Sequence, residues 1–203
     1  MKYKLIIFDL DGVLVDACEW HRTALNASLL EVCNYQISRE DHYRSFNGLP
    51  TRVKLQKLSQ EGIVPTDKHE VIYNLKQKKT IETIIQEAQI RNEKIELLSY
   101  LKEDGCIVTC FTNSIKKTAF LMLKKTGVFN FFDMIVTNQD VKNPKPSPEG
   151  YEKIIKHFKV DVSETLIIED SPKGLAAARK SGAIVLHVKS PDQVNLSMFK
   201  EIL

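Results

Sequence analysis

Short, uninterrupted apolar runs recur along this chain, and they constrain its fold more than any other feature. They are Leu5-Ile6-Ile7-Phe8 within residues 3–8, Ile107-Val108-Thr109-Cys110-Phe111, the weaker Met134-Ile135-Val136, Leu166-Ile167-Ile168 and Ala183-Ile184-Val185-Leu186. Runs this short, apolar throughout, suit strands buried on both faces of a parallel sheet. Helical patterns separate the later ones, over residues 115–125, 148–158 and 172–180, and Gly127 and Gly182 stop the first and last of them. Proline near a helix start and glycine just beyond its end are the expected punctuation. Strand and helix alternating in this way predict an α/β fold, a Rossmann-like parallel sheet core with helices on both faces.

Residues 16–88 do not join that alternation. Their pattern is helical over 20–33, 52–59 and 68–87, punctuated by Gly48-Leu49-Pro50 and Gly62-Ile63-Val64-Pro65. The expected organisation is a core domain of residues 1–15 and 89–203 with an inserted all-helical cap subdomain over 16–88. Residues 190–203 read as a terminal helix or tail.

Composition excludes several classes. Hydrophobic residues at 43% and charged residues at 27% argue for a folded chain rather than a disordered one. Lys and Arg number 29 against 26 Asp and Glu, a net charge of +3, too mild for a nucleic-acid or polybasic membrane binder. The first apolar run ends at Asp9, too short for a secretory leader or a bilayer span. Cys18, Cys33, Cys106 and Cys110 lack paired zinc-type spacing and read as reduced thiols of a cytoplasmic protein. Nothing in the sequence demands an obligate dimer, so a monomer or weak homodimer is expected.

In an open parallel sheet, ligands bind beyond the carboxyl ends of the strands. The residues there are Asp9 and Asp11, Thr112-Asn113-Ser114, and Glu169-Asp170, with Lys145 in the loop Asn143-Pro144-Lys145-Pro146-Ser147-Pro148. Carboxylates crowded on one edge repel unless a cation sits among them, and hard oxygen donors with open positions suit Mg2+. One carboxylate of the i, i+2 pair can attack phosphorus while the other handles the proton. A hydroxyl, backbone amides and a lysine can steady the transferred group. Thr112-Asn113-Ser114 also suits a helix cap, and a capped helix start is itself an anion site.

Phe8-Asp9-Leu10-Asp11-Gly12-Val13, Phe111-Thr112-Asn113, Lys145-Pro146 and Glu169-Asp170-Ser171, in that order, resemble the motifs of the haloacid dehalogenase superfamily across nearly the whole chain. The helical insert is similar to the cap of its phosphoglycolate phosphatase and beta-phosphoglucomutase branch. The resemblance implies that Asp9 is the nucleophile, forming an aspartyl-phosphate, and a metal ligand. It implies that Asp11 is the general acid/base and lends its backbone carbonyl to the metal. Thr112 and the Asn113 amide would bind the phosphoryl group, and Lys145 would steady nucleophile and phosphate. Asp170 would complete the metal shell, with Glu169 beside it directly or through water. In the cap, His21 stands where related mutases carry a histidine, and Arg52 is a candidate for reaching the substrate. Lys76, Lys78 and Lys79 read as a solvated helix face.

The function so implied is a Mg2+-dependent phosphatase acting on a small phosphorylated metabolite, the cap excluding bulk water. The alternative is a phosphosugar mutase of the beta-phosphoglucomutase type. Asp11 counts against a hydrolytic dehalogenase, and the intact set of motif residues counts against a non-catalytic binding module. The run Gly174 to Ser181 has Arg179 in place of the second glycine of a phosphate loop and lies within a helical pattern, so it is set aside.

Overall fold

A computed structural model describes residues 2–202. Met1 and Leu203, the outer ends of the expected core segments, lie outside the described residues. Among those described, β1 (Leu5–Phe8), β2 (Ile107–Phe111), β3 (Met134–Val136), β4 (Thr165–Glu169) and β5 (Ile184–His187) form one sheet in the order β3-β2-β1-β4-β5. Every pairing is parallel. All four residues of β1 have no solvent exposure, which accounts for the unbroken apolar run. Strand order reverses beside β1, and in open parallel sheets the carboxyl ends at such a reversal are where ligands bind. Phe8 stands opposite Cys110 and Ile168, so the chain leaves all three strands at one level.

The chain divides into two compact units, one holding the residues up to Asp16 and from Ala88 onward, the other Ala17–Glu87. The second unit is built on α1 (Cys18–Cys33), α2 (Arg39–Asp41), α3 (Thr51–Gln60) and α4 (His69–Glu87). Leu25, Leu29, Phe46, Leu55, Leu58 and Ile72 make its apolar centre. A π-helical turn over His42–Phe46 is a feature that the sequence pattern did not foretell. Asn34 adopts a left-handed conformation (φ 51°) and ends α1 as a glycine otherwise would.

The first unit carries α5 (Asn92–Glu103), α6 (Lys116–Lys125), α7 (Glu149–Phe158), α8 (Pro172–Lys180) and α9 (Leu196–Ile202). Leu5, Ile7, Phe111, Tyr151, Ile154 and Ile167 belong to its core. At the start of α8, Ser171 Oγ accepts a hydrogen bond from Gly174 N and Pro172 fills the first turn, as their residue types favour. Thr112-Asn113-Ser114 does not cap α6. Gln139 Oε1 accepts from Lys116 N instead, at 2.9 Å. The C-terminal segment is held by Lys94, which is fully buried and donates to the carbonyls of Pro191 and Val194. Burial pulls the Lys94 pKa down to about 8.

Candidate active site

The first unit brings Asp9, Asp11, Thr112, Asn113, Lys145, Glu169 and Asp170 together. Asp9 follows β1 directly, and its amide donates to the Ile168 carbonyl at 3.0 Å, which fixes the strand exit. Lys145 crosses to it from the proline-rich loop. Its ammonium donates to Asp9 Oδ1 at 2.7 Å, to the Phe111 carbonyl at 2.7 Å and to Glu169 Oε1. All three protons of the amine are thereby used. The loop bearing Lys145 is clamped by the Asn113 side chain, which accepts from Lys145 N at 3.0 Å and donates to Lys145 O at 3.1 Å.

Asp11 is held by hydroxyls. Its Oδ2 accepts from Ser114 Oγ at 2.8 Å and from Thr112 Oγ1 at 3.2 Å. Gly12 has φ +91°, and a Cβ there would lie 2.2 Å from Asp170 Oδ2. Glycine therefore lets the turn after Asp11 pass against the Asp170 carboxylate.

Glu169 is fully buried and bonded at both oxygens. Oε1 accepts from Lys145 and from the Tyr151 hydroxyl at 2.8 Å. Oε2 accepts from Asp170 N at 3.1 Å and from Ser171 N and Oγ at 3.3 Å each. Asp170 differs, because its Oδ1 is buried without a hydrogen-bond partner. One carboxylate oxygen from each of Asp9, Glu169 and Asp170 lies within 4.8 Å of the others.

The charges explain the titration. Burial opposes the charge on Lys145, but Asp9 and Glu169 outweigh it and hold its pKa above the ordinary lysine value. Burial pushes Asp9 well above the usual carboxylate range; Lys145 pulls it down, while Glu169, Asp170 and Asp11 add to the rise. Asp170 is raised to about 7 by burial and by the charge on Glu169. One ammonium among four carboxylates leaves a surplus of negative charge. That surplus and the orphaned Asp170 oxygen fit a hard divalent cation.

A family model described as haloacid dehalogenase-like hydrolase matches residues 6–188. The chain belongs to that family. The haloacid dehalogenase-like chain is 29% identical to a pyrophosphatase PpaX of Bacillus velezensis, over 87% of its own length and 79% of the relative's. It is 27% identical to a phosphorylated carbohydrates phosphatase of Thermotoga maritima, over 87% of its length and 81% of that protein's. A beta-phosphoglucomutase structure from Clostridium difficile shares the fold, with a TM-score of 0.80 at 22% identity, covering 98% of this chain and 96% of that one.

The two cap candidates lie in the second unit. Lys76 Nζ sits 3.2 Å from His21 Nδ1. Lys76 is 8% exposed, so the expectation of a solvated face fails for it: α4 turns it inward, while Lys78 is exposed. Arg52 is exposed, donates to Glu70 Oε2 at 2.9 Å and stacks over the Tyr73 ring at 4.3 Å. Sequence reasoning gave no role to Tyr151, and it noted Ser114 only as part of a triplet. A tyrosine on the apolar face of a helix is a weak clue, since a buried hydroxyl needs a polar partner.

Proposed function

We propose that this hydrolase is a Mg2+-dependent phosphatase of small phosphomonoesters working through an aspartyl-phosphate. The observation that carries the reading is the buried Asp9 carboxylate gripped by Lys145 beside an Asp170 oxygen that no protein group satisfies. Asp9, Asp170 and the backbone carbonyl of Asp11 would hold the cation, and Glu169, with both oxygens engaged, would reach it through water. When bound, Mg2+ offsets the negative charge of the carboxylates and of the substrate phosphate.

Asp9 attacks the phosphorus, and the bond from phosphorus to the ester oxygen breaks. Asp11, protonated, gives its proton to the departing oxygen. As a carboxylate it then takes a proton from the water that attacks the aspartyl-phosphate, which restores Asp9 and releases phosphate. Thr112 and Ser114 keep Asp11 in place through their hydroxyls. Lys145 carries fixed positive charge at the nucleophile and needs no rearrangement to do so. The free thiols of Cys18, Cys33, Cys106 and Cys110 support a cytoplasmic setting. No helix among the described residues is long and apolar enough to cross a membrane.

The test is phosphate release from a panel of sugar phosphates, other small monoesters, para-nitrophenyl phosphate and pyrophosphate, with Mg2+, with chelator, and with Asp9→Asn. Pyrophosphate is included because relatives carry that name. The expected result is Mg2+-dependent release that Asp9→Asn abolishes. Release that survives Asp9→Asn would sink the mechanism, and isomer formed faster than phosphate from a sugar phosphate would favour the mutase.

A further inference from the structure

Tyr151 lies on α7, away from every motif that marks the site. The start of that helix is pressed against Phe111, since a Cβ on Gly150 would fall 2.3 Å from the Phe111 ring. This approach puts the Tyr151 ring edge-on to Phe111, with centroids 4.8 Å apart. Both rings border the Lys145 ammonium, at 4.8 and 5.1 Å from their centroids. The Tyr151 hydroxyl then donates to the same Glu169 oxygen that Lys145 uses. On the far side, a Cβ on Gly174 would lie 1.9 Å from Glu169 Oε1, so glycine there makes room for the carboxylate.

We infer that Tyr151 is a positioning residue: its hydroxyl holds Glu169 as the counter-charge that keeps Lys145 aimed at Asp9, and Glu169 thereby serves the lysine rather than binding the cation directly. The catalytic half of this rests on the phosphatase reading above. Glu169 and Asp9 compete for one ammonium. A proton donated by Tyr151 draws negative charge on Glu169 away from Lys145 and leaves more of the lysine's field at Asp9. Without the hydroxyl, Glu169 is held less firmly and Lys145 with it, so the ammonium's contact with the nucleophile loosens. The five hydrogen bonds on Glu169 also leave it poorly placed for direct coordination, in contrast to Asp170.

Tyr151→Phe keeps the ring and removes only the hydroxyl. On para-nitrophenyl phosphate, kcat should fall by about tenfold, a hydrogen bond's worth, while KM stays within about twofold. Glu169→Gln should lower kcat further, and adding Tyr151→Phe to it should cost nothing more, because both changes act on one contact. Mg2+ titrated calorimetrically without substrate should bind both variants as it binds the parent, whereas Asp170→Asn should bind it much more weakly. In proton NMR, the Lys145 ammonium should exchange faster with water in Tyr151→Phe. An unchanged kcat, additive losses in the double variant, or unaltered ammonium exchange would overturn the role of Tyr151. A loss of Mg2+ affinity in Glu169→Gln equal to that in Asp170→Asn would put Glu169 on the cation. If the parent releases no phosphate, the phosphatase reading falls, while the calorimetry and the ammonium exchange still decide the inference.

Discussion

The first unit, the expected core, and the second, the expected cap, hold their charges in opposite ways. In the core, the side chains of Lys145, Asp9 and Glu169 are 3%, 9% and 0% exposed, and the lysine bonds to both acids. In the cap, Arg39, Arg44 and Arg52 pair with acids while 73%, 65% and 62% exposed. A buried pair holds one geometry because breaking it strands a charge in a medium that solvates it poorly. An exposed pair exchanges freely with water and fixes little. Chemistry that needs a set distance belongs on the first kind of scaffold, and surfaces that must adapt belong on the second.

The sharpest way to break that comparison is Lys145→Met. It leaves Asp9 and Glu169 buried without their shared cation, and the metal-free protein should lose about 3–5 kcal/mol in urea unfolding. Phosphate release should fall by about a hundredfold or more, because the fixed donor to Asp9, the proposed nucleophile, is gone. A variant that melts like the parent would show the buried network to be no more constraining than the surface pairs.

Acid should separate the two regions by sign. His42 is 1% exposed, its Nδ1 has no hydrogen-bond partner, and burial together with Lys54 and Arg22 pulls its pKa down to about 4. Below about 6.5 the unfolded chain takes up a proton that the folded cap refuses. Stability from His42 is therefore complete above pH 6.5, drains as pH falls toward 4 and is gone below it, about 3 kcal/mol in all. Asp170, raised to about 7, acts the other way in chelator, favouring the folded core as pH falls from 7 toward 4. Trp20, the chain's one tryptophan, lies in α1 and reports the cap by fluorescence; amide exchange in β1 and β4 reports the sheet. Movement of both regions in the same direction would erase the contrast, and His42→Leu should flatten the cap's response.

Smaller effects sharpen the picture. Gly174→Ala drives a methyl group into the Glu169 carboxylate, and with no slack around it the protein should lose about 1–3 kcal/mol and part of its kcat. Arg52→Ala should barely move the melting midpoint, since its partner Glu70 is equally wet. A large loss there would mean that the Arg52 stack on Tyr73 carries more of the cap than its exposure suggests.

Most of the fold was legible because β1, β2 and β4 are buried on both faces and their apolar runs cannot be mistaken for surface. The helix α5 was not read, since Asn92 to Glu103 mixes charges with its buried Leu97, Leu98 and Leu101, and a lysine, Lys94, lies on the buried face. The same kind of exception hid Lys76, which sits two residues from the exposed Lys78 and three from the half-buried Lys79, itself paired with Glu31. That Asp9, Asp11, Thr112, Glu169 and Asp170 share one sheet edge was legible because each lies at or just past the end of a buried strand. The role of Tyr151 was not, because its contact with Glu169 depends on how α7 packs on the sheet. Arg52, a candidate after a turn, stands exposed in a surface pair with Glu70.

The strand order has a consequence for how the protein is made. Leu5 pairs with both Ile107 and Thr165, so β1 needs neighbours translated much later than itself. At ordinary synthesis rates β1 waits roughly ten seconds or more for β4, with both edges open to unwanted partners. The stretch from Ala17 to Glu87 is continuous and can begin to pack in that interval. Asp9 is thus synthesised well before Lys145 and Glu169, the groups that surround it in the folded sheet.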